Sequence, residues 1–250
     1  LSLGLKIKNK ASGSFGLASV ISFGKGKVID IGGGGALLTD DRMLYLRSKS
    51  LISRLSSKKK INDKMITQIN DVHTKIYNNL FVKNKINLIK KKYRTEAIKK
   101  SSYFLYKFES KLLKKLDLSK KNLNKILRTR YKNINYISKK LHLIKKNFFN
   151  VPIQKKNEAP WRMNIFFYKE KNRNFVLKEM LKKKLKVSSW HPSLDIFFKD
   201  RTKSNTYPTS DKLSRSILNI WINHEINQSY LNDVCKNILE IKKTISLNKL

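Results

Sequence analysis

Apolar residues recur every three or four positions from residue 61 onward, and that period organises most of the chain. Ile61, Met65, Ile66, Ile69, Val72, Ile76 and Leu80 fall on one face of a helix. Tyr103, Phe104, Phe108, Leu112, Leu113 and Leu116 predict a second. A third, with Ser119 as its N-cap, carries Leu123, Ile126, Leu127, Ile134, Ile137, Leu141 and Ile144. Its other face holds Lys121, Lys125, Lys132, Lys139, Lys140 and Lys146, so the pattern sets one side against protein and the other against an anion. Past Pro152 and Pro160 the texture changes. "RMNIFFYKE" predicts a strand, "KNRN" a turn, "FVLKEMLKKKLK" a basic helix and "SLDIFFKD" a second strand. The tail predicts two helices. Leu213, Ile217, Ile220 and Trp221 line the first; Leu231, Val234, Cys235, Ile238 and Ile241 line the second.

The amino-terminal stretch has no such period. All nine glycines lie between Gly4 and Gly35, four of them consecutive at Gly32–Gly35. Short strands fit Ala18–Phe23 and Lys27–Ile31, but each glycine loses much backbone entropy on ordering. Residues 1–45 therefore read as an extended arm that orders only against RNA or neighbouring proteins. The glycine run is not a nucleotide loop. No Gly stands five residues before Gly24-Lys25 or Gly26-Lys27, and Ile29 occupies the third glycine position of GxGxxG. The resulting fold expectation is mainly α with a small α+β portion: an extended Gly-rich N-terminal arm followed by basic amphipathic helices. Its divisions are an arm over 1–50, a basic helical region over 51–150, and an α+β region over 151–250 ending in a helix pair.

Charge narrows the choice of partner. The chain has 56 Lys+Arg against 17 Asp+Glu, a net +39. Like charges repel in a compact state, and a polyanion such as nucleic acid relieves that repulsion. The clustered cations are the candidate RNA contacts: Lys6, Lys8, Lys10, Lys25 and Lys27 on the arm; Lys58, Lys59, Lys60, Lys90, Lys91, Lys92, Arg94, Arg128, Arg130, Lys139 and Lys140 in the middle; Arg162, Lys182, Lys183 and Lys184 beyond. Arg94, Arg130 and Arg162 each adjoin an aromatic ring that can stack on an unpaired base. No apolar run reaches the length of a membrane span.

Catalytic chemistry is not visible at this level. Asp40-Asp41, a possible magnesium pair, is the only adjacent acidic pair, and a dipeptide on a Gly-rich arm fixes no two-metal geometry. The four histidines lack ligand spacing, and the single cysteine, Cys235, excludes an internal disulfide and reads as a small core residue. The expectation is a non-enzyme with no cofactor, no metal and no small-molecule substrate.

With 46 Lys, 24 Asn and 26 Ile but only 10 Arg and 5 Ala, the residue usage follows AT-rich codons. Together with the basic charge and the Gly-rich arm, it resembles a ribosomal protein encoded by an AT-rich protist mitochondrial genome. The tail "DKLSRSILNIWINHEINQSYLNDVCKNI" is similar to the helix pair of the small-subunit S-three family. Leu213, Ile217, Ile222 and Ile226 serve its first helix, and Ser229-Tyr230 its Ser-aromatic pair. That family's following arginines and its GxxG loop are absent here. The resemblance implies a structural constituent of the mitochondrial ribosome in the matrix, partnered by ribosomal RNA and neighbouring ribosomal proteins; the S-three likeness further implies the amino-terminal portion of a split protein. The alternatives are an organellar maturase or nuclease, or a basic accessory subunit of a membrane complex.

Overall fold

The computed structural model describes residues 3–24, 26–56, 106–142, 147–152, 161–189 and 207–247. They fall into two compact units. The first holds residues up to 56, 106–132 and Trp161; the second holds 133–152, 162–189 and 207–247.

The glycine-rich segment is folded in the first unit, which corrects the expectation of an extended arm. Strands β1 (Lys6–Ile7) and β2 (Lys10–Ala11) pair antiparallel around Lys8 and Asn9, whose φ values of 47° and 65° make a tight two-residue hairpin. Strands β3 (Ala18–Ser22) and β4 (Gly35–Thr39) form a second antiparallel pair, with Val20 opposite Leu37 and Ile21 opposite Ala36. The segment between them was expected to be partly a strand over Lys27–Ile31. Instead it is a bent loop that turns its apolar side chains inward. Phe23, Ile29 and Ile31 are buried and pack with Leu3, Ile21, Ala36, Phe108, Leu112, Leu116 and Leu123. That cluster is the internal apolar burial the sequence reading missed, and it offsets the entropy of ordering the glycines.

Two of the four consecutive glycines are dictated by close approach. Gly34 has φ +87°, and a Cβ there would meet the Phe108 ring at 2.4 Å. Gly35 pairs with Ser22, and its Cβ would lie 2.8 Å from the Ile21 carbonyl oxygen. The run exists so that β4 can leave the loop beside a phenyl ring and a backbone. Gly34→Ala is expected to destabilise the first unit by about 2 to 4 kcal/mol, from strained φ plus overpacking. Gly32 has the same φ with open space around it, so Gly32→Ala should cost roughly 1 kcal/mol. Urea denaturation of the two variants checks the ordering, and equal midpoints would refute it.

After β4 comes α1 (Arg42–Ser53). Its N-cap is Asp41, whose carboxylate accepts from the Leu44 N–H at 2.6 Å. Half of the acidic pair weighed as a metal site is thus a helix cap, and no cluster of metal-ligating side chains occurs among the described residues. Helix α2 (Leu113–Lys121) contains Ser119, so that residue caps nothing, and α3 (Leu123–His142) follows. The first predicted helix, over 61–80, and the "SLDIFFKD" strand lie outside the described residues.

The second unit is a four-stranded antiparallel sheet with helices packed on it. Its strands are β5 (Phe149–Asn150), β6 (Met163–Phe167), β7 (Val187–Ser188) and β8 (Ile217–Ile220), in the order β5-β6-β8-β7. Helix α4 (Glu170–Lys182) follows β6, α5 (Pro208–Ser216) precedes β8, and α6 (Gln228–Leu247) ends the described chain. Met163, Ile165 and Phe167 alternate inward from β6; Leu218 and Ile220 do so along β8, and Ile222, just past its end, joins the same core. Val176, Leu177 and Met180 from α4 cover them with the apolar stripe of α6, whose Leu231, Val234, Cys235, Ile238 and Ile241 are all buried as the period predicts.

Two elements of the second unit differ from the expectation. The "KNRN" turn is the first turn of α4. The first tail helix stops at Ser216, and Ile217–Ile220 is a central strand. So dense an apolar run satisfies a period of two as well as one of 3.6, and pairing with β6 decides between them. The helix pair that carried the S-three resemblance is therefore a helix, a strand and a helix.

Candidate active site

The loop between β3 and β4 is held from several directions. The Asp30 carboxylate accepts from the Gly26 N–H at 2.6 Å and the Gly32 N–H at 3.0 Å, closing the loop on itself. The Lys27 N–H donates to the Gly24 carbonyl at 3.1 Å. Phe23 and Ile31 tie the loop ends: Ile31 N–H donates to the Phe23 carbonyl at 3.1 Å. From α3, Arg130 inserts its guanidinium, Nη1 donating to the Trp161 carbonyl at 2.7 Å and Nη2 to the Lys27 carbonyl at 3.2 Å. The Trp161 indole N–H donates in turn to the Gly26 carbonyl.

This frame fixes the backbone of Lys27 while leaving its side chain half-buried, with its amine 5.8 Å from the centre of the Trp161 ring. Lys27 lines a cavity of about 400 Å³ with Ser12, Ser14, Ser19, Ser22 and Thr39. Ser14 donates to the Ala11 carbonyl at 2.8 Å, and Thr39 to the Leu17 carbonyl at 2.7 Å. Ser19 Oγ is buried without a hydrogen-bond partner among the described residues. Asp40 is the one carboxylate on the cavity wall among those residues. The arrangement is a concave site carrying two amines, those of Lys27 and Lys6, one acid and several hydroxyls, of a size within the roughly 300–1,000 Å³ of small-molecule pockets.

The cations taken as RNA contacts do not share one surface role. Lys6, Lys8, Lys10, Arg128, Lys139, Lys140, Lys182, Lys183 and Lys184 are exposed. Lys25, Lys58, Lys59, Lys60, Lys90, Lys91, Lys92 and Arg94 lie outside the described residues. Lys182 pairs with Glu179 at 2.6 Å, and Lys183 with Glu240 at 3.5 Å. Arg162 is half-buried, stacked 4.2 Å from the centre of the Trp221 ring and donating to Ser188 Oγ. Arg130 is 2% exposed, and both contacts given above are to backbone. Its position carries a readable signal: it stands four residues from both Ile126 and Ile134, on the buried stripe of α3 rather than the cationic face. Elsewhere, burial pushes the Cys235 thiol up to about 11, in keeping with an inert core cysteine.

Comparison with known proteins overturns the ribosomal reading. The model of the DegT/DnrJ/EryC1/StrS aminotransferase family matches residues 1–85, which contain the whole loop and the cavity wall. No curated protein matches the chain significantly. Among solved structures, the chain is similar to PseC of Helicobacter pylori, an aminotransferase of pseudoaminic acid biosynthesis, at TM-score 0.65 and 17% identity, over 97% of this chain and 57% of that one. It is similar to the PMP-form of the sugar aminotransferase Spr1654 of Streptococcus pneumoniae, at TM-score 0.65 and 12% identity, over 99% and 57%. A third is the E. coli GDP-4-keto-6-deoxy-D-mannose-3-dehydratase with bound hydrated PLP, at TM-score 0.58 and 14% identity, over 94% and 58%. The chain thus spans little more than half the length of the structures it matches. These likenesses correct the mainly α fold to a mixed α/β one. They also remove the ground for a translation role, for ribosomal RNA and ribosomal proteins as partners, for the maturase, nuclease and membrane-complex alternatives, and for a non-enzyme without a small-molecule substrate. In fold the chain is similar to part of a sugar aminotransferase.

Proposed function

We propose that the chain is the lysine-bearing part of a pyridoxal-phosphate-dependent enzyme acting on an amino- or keto-sugar, with transamination as its reaction. The observation that carries this reading is Lys27: a lysine with a clamped backbone and a half-buried amine, lining a cavity inside the residues that match the aminotransferase family model. Enzymes of this kind need a lysine amine facing the cofactor. Lys6 also lines the cavity but is exposed on a two-residue strand, without such a clamp. The cofactor suits the residues present. Lys27 would hold it through the amine, and the unpartnered Ser19 hydroxyl answers an acceptor oxygen.

Pyridoxal phosphate, when bound, supplies an electron sink that lets a substrate carbon bearing nitrogen lose a proton. The chain's own contribution is positional and basic. Arg130 and Asp30 keep the loop from moving as Lys27 engages and disengages. Lys27 Nζ, once free, is the group able to take and return a proton at the substrate carbon. Val28 and Ile29, both buried, back the site with apolar surface that excludes water.

Borohydride reduction of the chain incubated with pyridoxal phosphate, followed by peptide mapping, tests this. The reduced cofactor is expected on Lys27 at near-stoichiometric yield, and Lys27→Arg should remove that peptide's label. Labelling spread evenly over the surface lysines would show that Lys27 has no special site.

A further inference from the structure

The ring of Trp161 is tethered at both ends. Its carbonyl accepts from Arg130 Nη1 at 2.7 Å, and its indole N–H donates to the carbonyl of Gly26, the residue before Lys27. Tethers on the backbone and on the indole nitrogen together define the ring plane. The Lys27 backbone is held as well, by its N–H on the Gly24 carbonyl and by Arg130 Nη2 on its own carbonyl. The movable member of the pair is the Lys27 side chain, a four-carbon stem whose amine lies 5.8 Å from the centre of the Trp161 ring. All of these groups belong to the first unit.

An indole face is the best of the aromatic surfaces for a cation, and it attracts an ammonium within about 6 Å of its centre. The attraction acts on the charge, so a neutral group of the same shape does not receive it. The indole N–H is engaged elsewhere, on Gly26, which leaves the face as the part of Trp161 that meets the amine. We propose that Trp161 is a positioning residue for Lys27: its ring face seats the Lys27 ammonium whenever the amine is not joined to the cofactor. A free lysine side chain has many rotamers, and a seat that selects a few of them keeps the amine within reach of its next encounter. The seat deepens the cofactor reading and takes its purpose from it, while the contact itself can be measured without the cofactor.

A double-mutant cycle on the cofactor-free full chain tests the seat. In one arm tetrafluorotryptophan stands in place of Trp161 alone. Fluorine withdraws electron density from the ring face, keeps the indole shape and makes its N–H a stronger donor, so the hydrogen bond to Gly26 is retained. The other arm is Lys27→Met, close in shape and uncharged. Urea denaturation is expected to show the folding constant of the parent falling about fivefold on fluorination, the equivalent of about 1 kcal/mol, with no fall in the Lys27→Met background. Nuclear magnetic resonance gives a second readout that does not need Lys27→Met to fold. Shielding by the indole face should move the Lys27 ε-methylene protons upfield of those of the other lysines, and Trp161→Leu should abolish that shift. Equal falls in both backgrounds, or Lys27 ε-methylene protons at the ordinary lysine position, would overturn the seat. Borohydride trapping on the same parent chain keeps the two readings apart. Label on Lys27 without coupling refutes the seat alone; coupling without label upholds the contact and refutes the cofactor reading.

Discussion

Arg130→Ala is expected to lower the stability of the first unit by about 3 to 5 kcal/mol and to release the Lys27 loop. The guanidinium joins two carbonyls that are far apart in sequence, Trp161 at 2.7 Å and Lys27 at 3.2 Å. Hydrogen bonds from a charged donor contribute about 1.5 to 3 kcal/mol each, and alanine would strip both oxygens of that partner while opening a cavity beside them. Arg130→Lys should recover only a minor part, since a compact ammonium lacks the planar fork that spans the two acceptors. Urea denaturation gives the stability difference. Hydrogen exchange at Val28 and Ile29 reports the loop, and trapping of pyridoxal phosphate on Lys27 should fall in parallel. If Arg130→Ala stays within about 1 kcal/mol of the parent, the clamp is not what orders the site.

Local periodicity served well where an element has one apolar face and one polar face. The stripe of α6 and the alternation of β6 lie where the spacing put them. It failed where burial comes from partners distant in sequence. Gly34 is required by Phe108, more than seventy residues on, and nothing near Gly34 announces that ring. Ile217–Ile220 is a strand because β6 and β7 flank it on both sides, whereas its composition also suits a helix. The candidate site was hidden by charge. Among the lysines of the described residues, Lys27 is set apart by its loop and its clamp, which are tertiary facts, whereas the overall cationic character of the chain points toward RNA. Arg130 was the exception, since its place on the α3 stripe could have marked it as buried.

Phe149→Ala is expected to cost the second unit about 3 to 5 kcal/mol. Phe149 is 0% exposed although β5 is a two-residue edge strand, because its ring sits among other rings rather than within a long ladder. Its centroid lies 5.5 Å from that of Phe167, directly opposite it in register, and 5.6 Å from Phe148. Tilted and edge-to-face contacts at such distances add about 0.5 to 1.5 kcal/mol per pair beyond area burial. Truncation forfeits two of them and leaves a void that the close-packed β6 and β8 side chains cannot collapse into without shifting the sheet. Phe149→Leu retains most of the volume and loses the ring contacts, so its cost should be well below that of alanine. Phe166→Ala is the informative control: the next residue to Phe167 points to the opposite sheet face, is only half-buried, and should cost clearly less than Phe149→Ala. Thermal or urea unfolding followed by near-ultraviolet circular dichroism orders the three variants. Equal losses for Phe149→Ala and Phe166→Ala would mean that the aromatic cluster is not the keystone of this edge, and that the short β5 strand is held by its backbone pairing with β6.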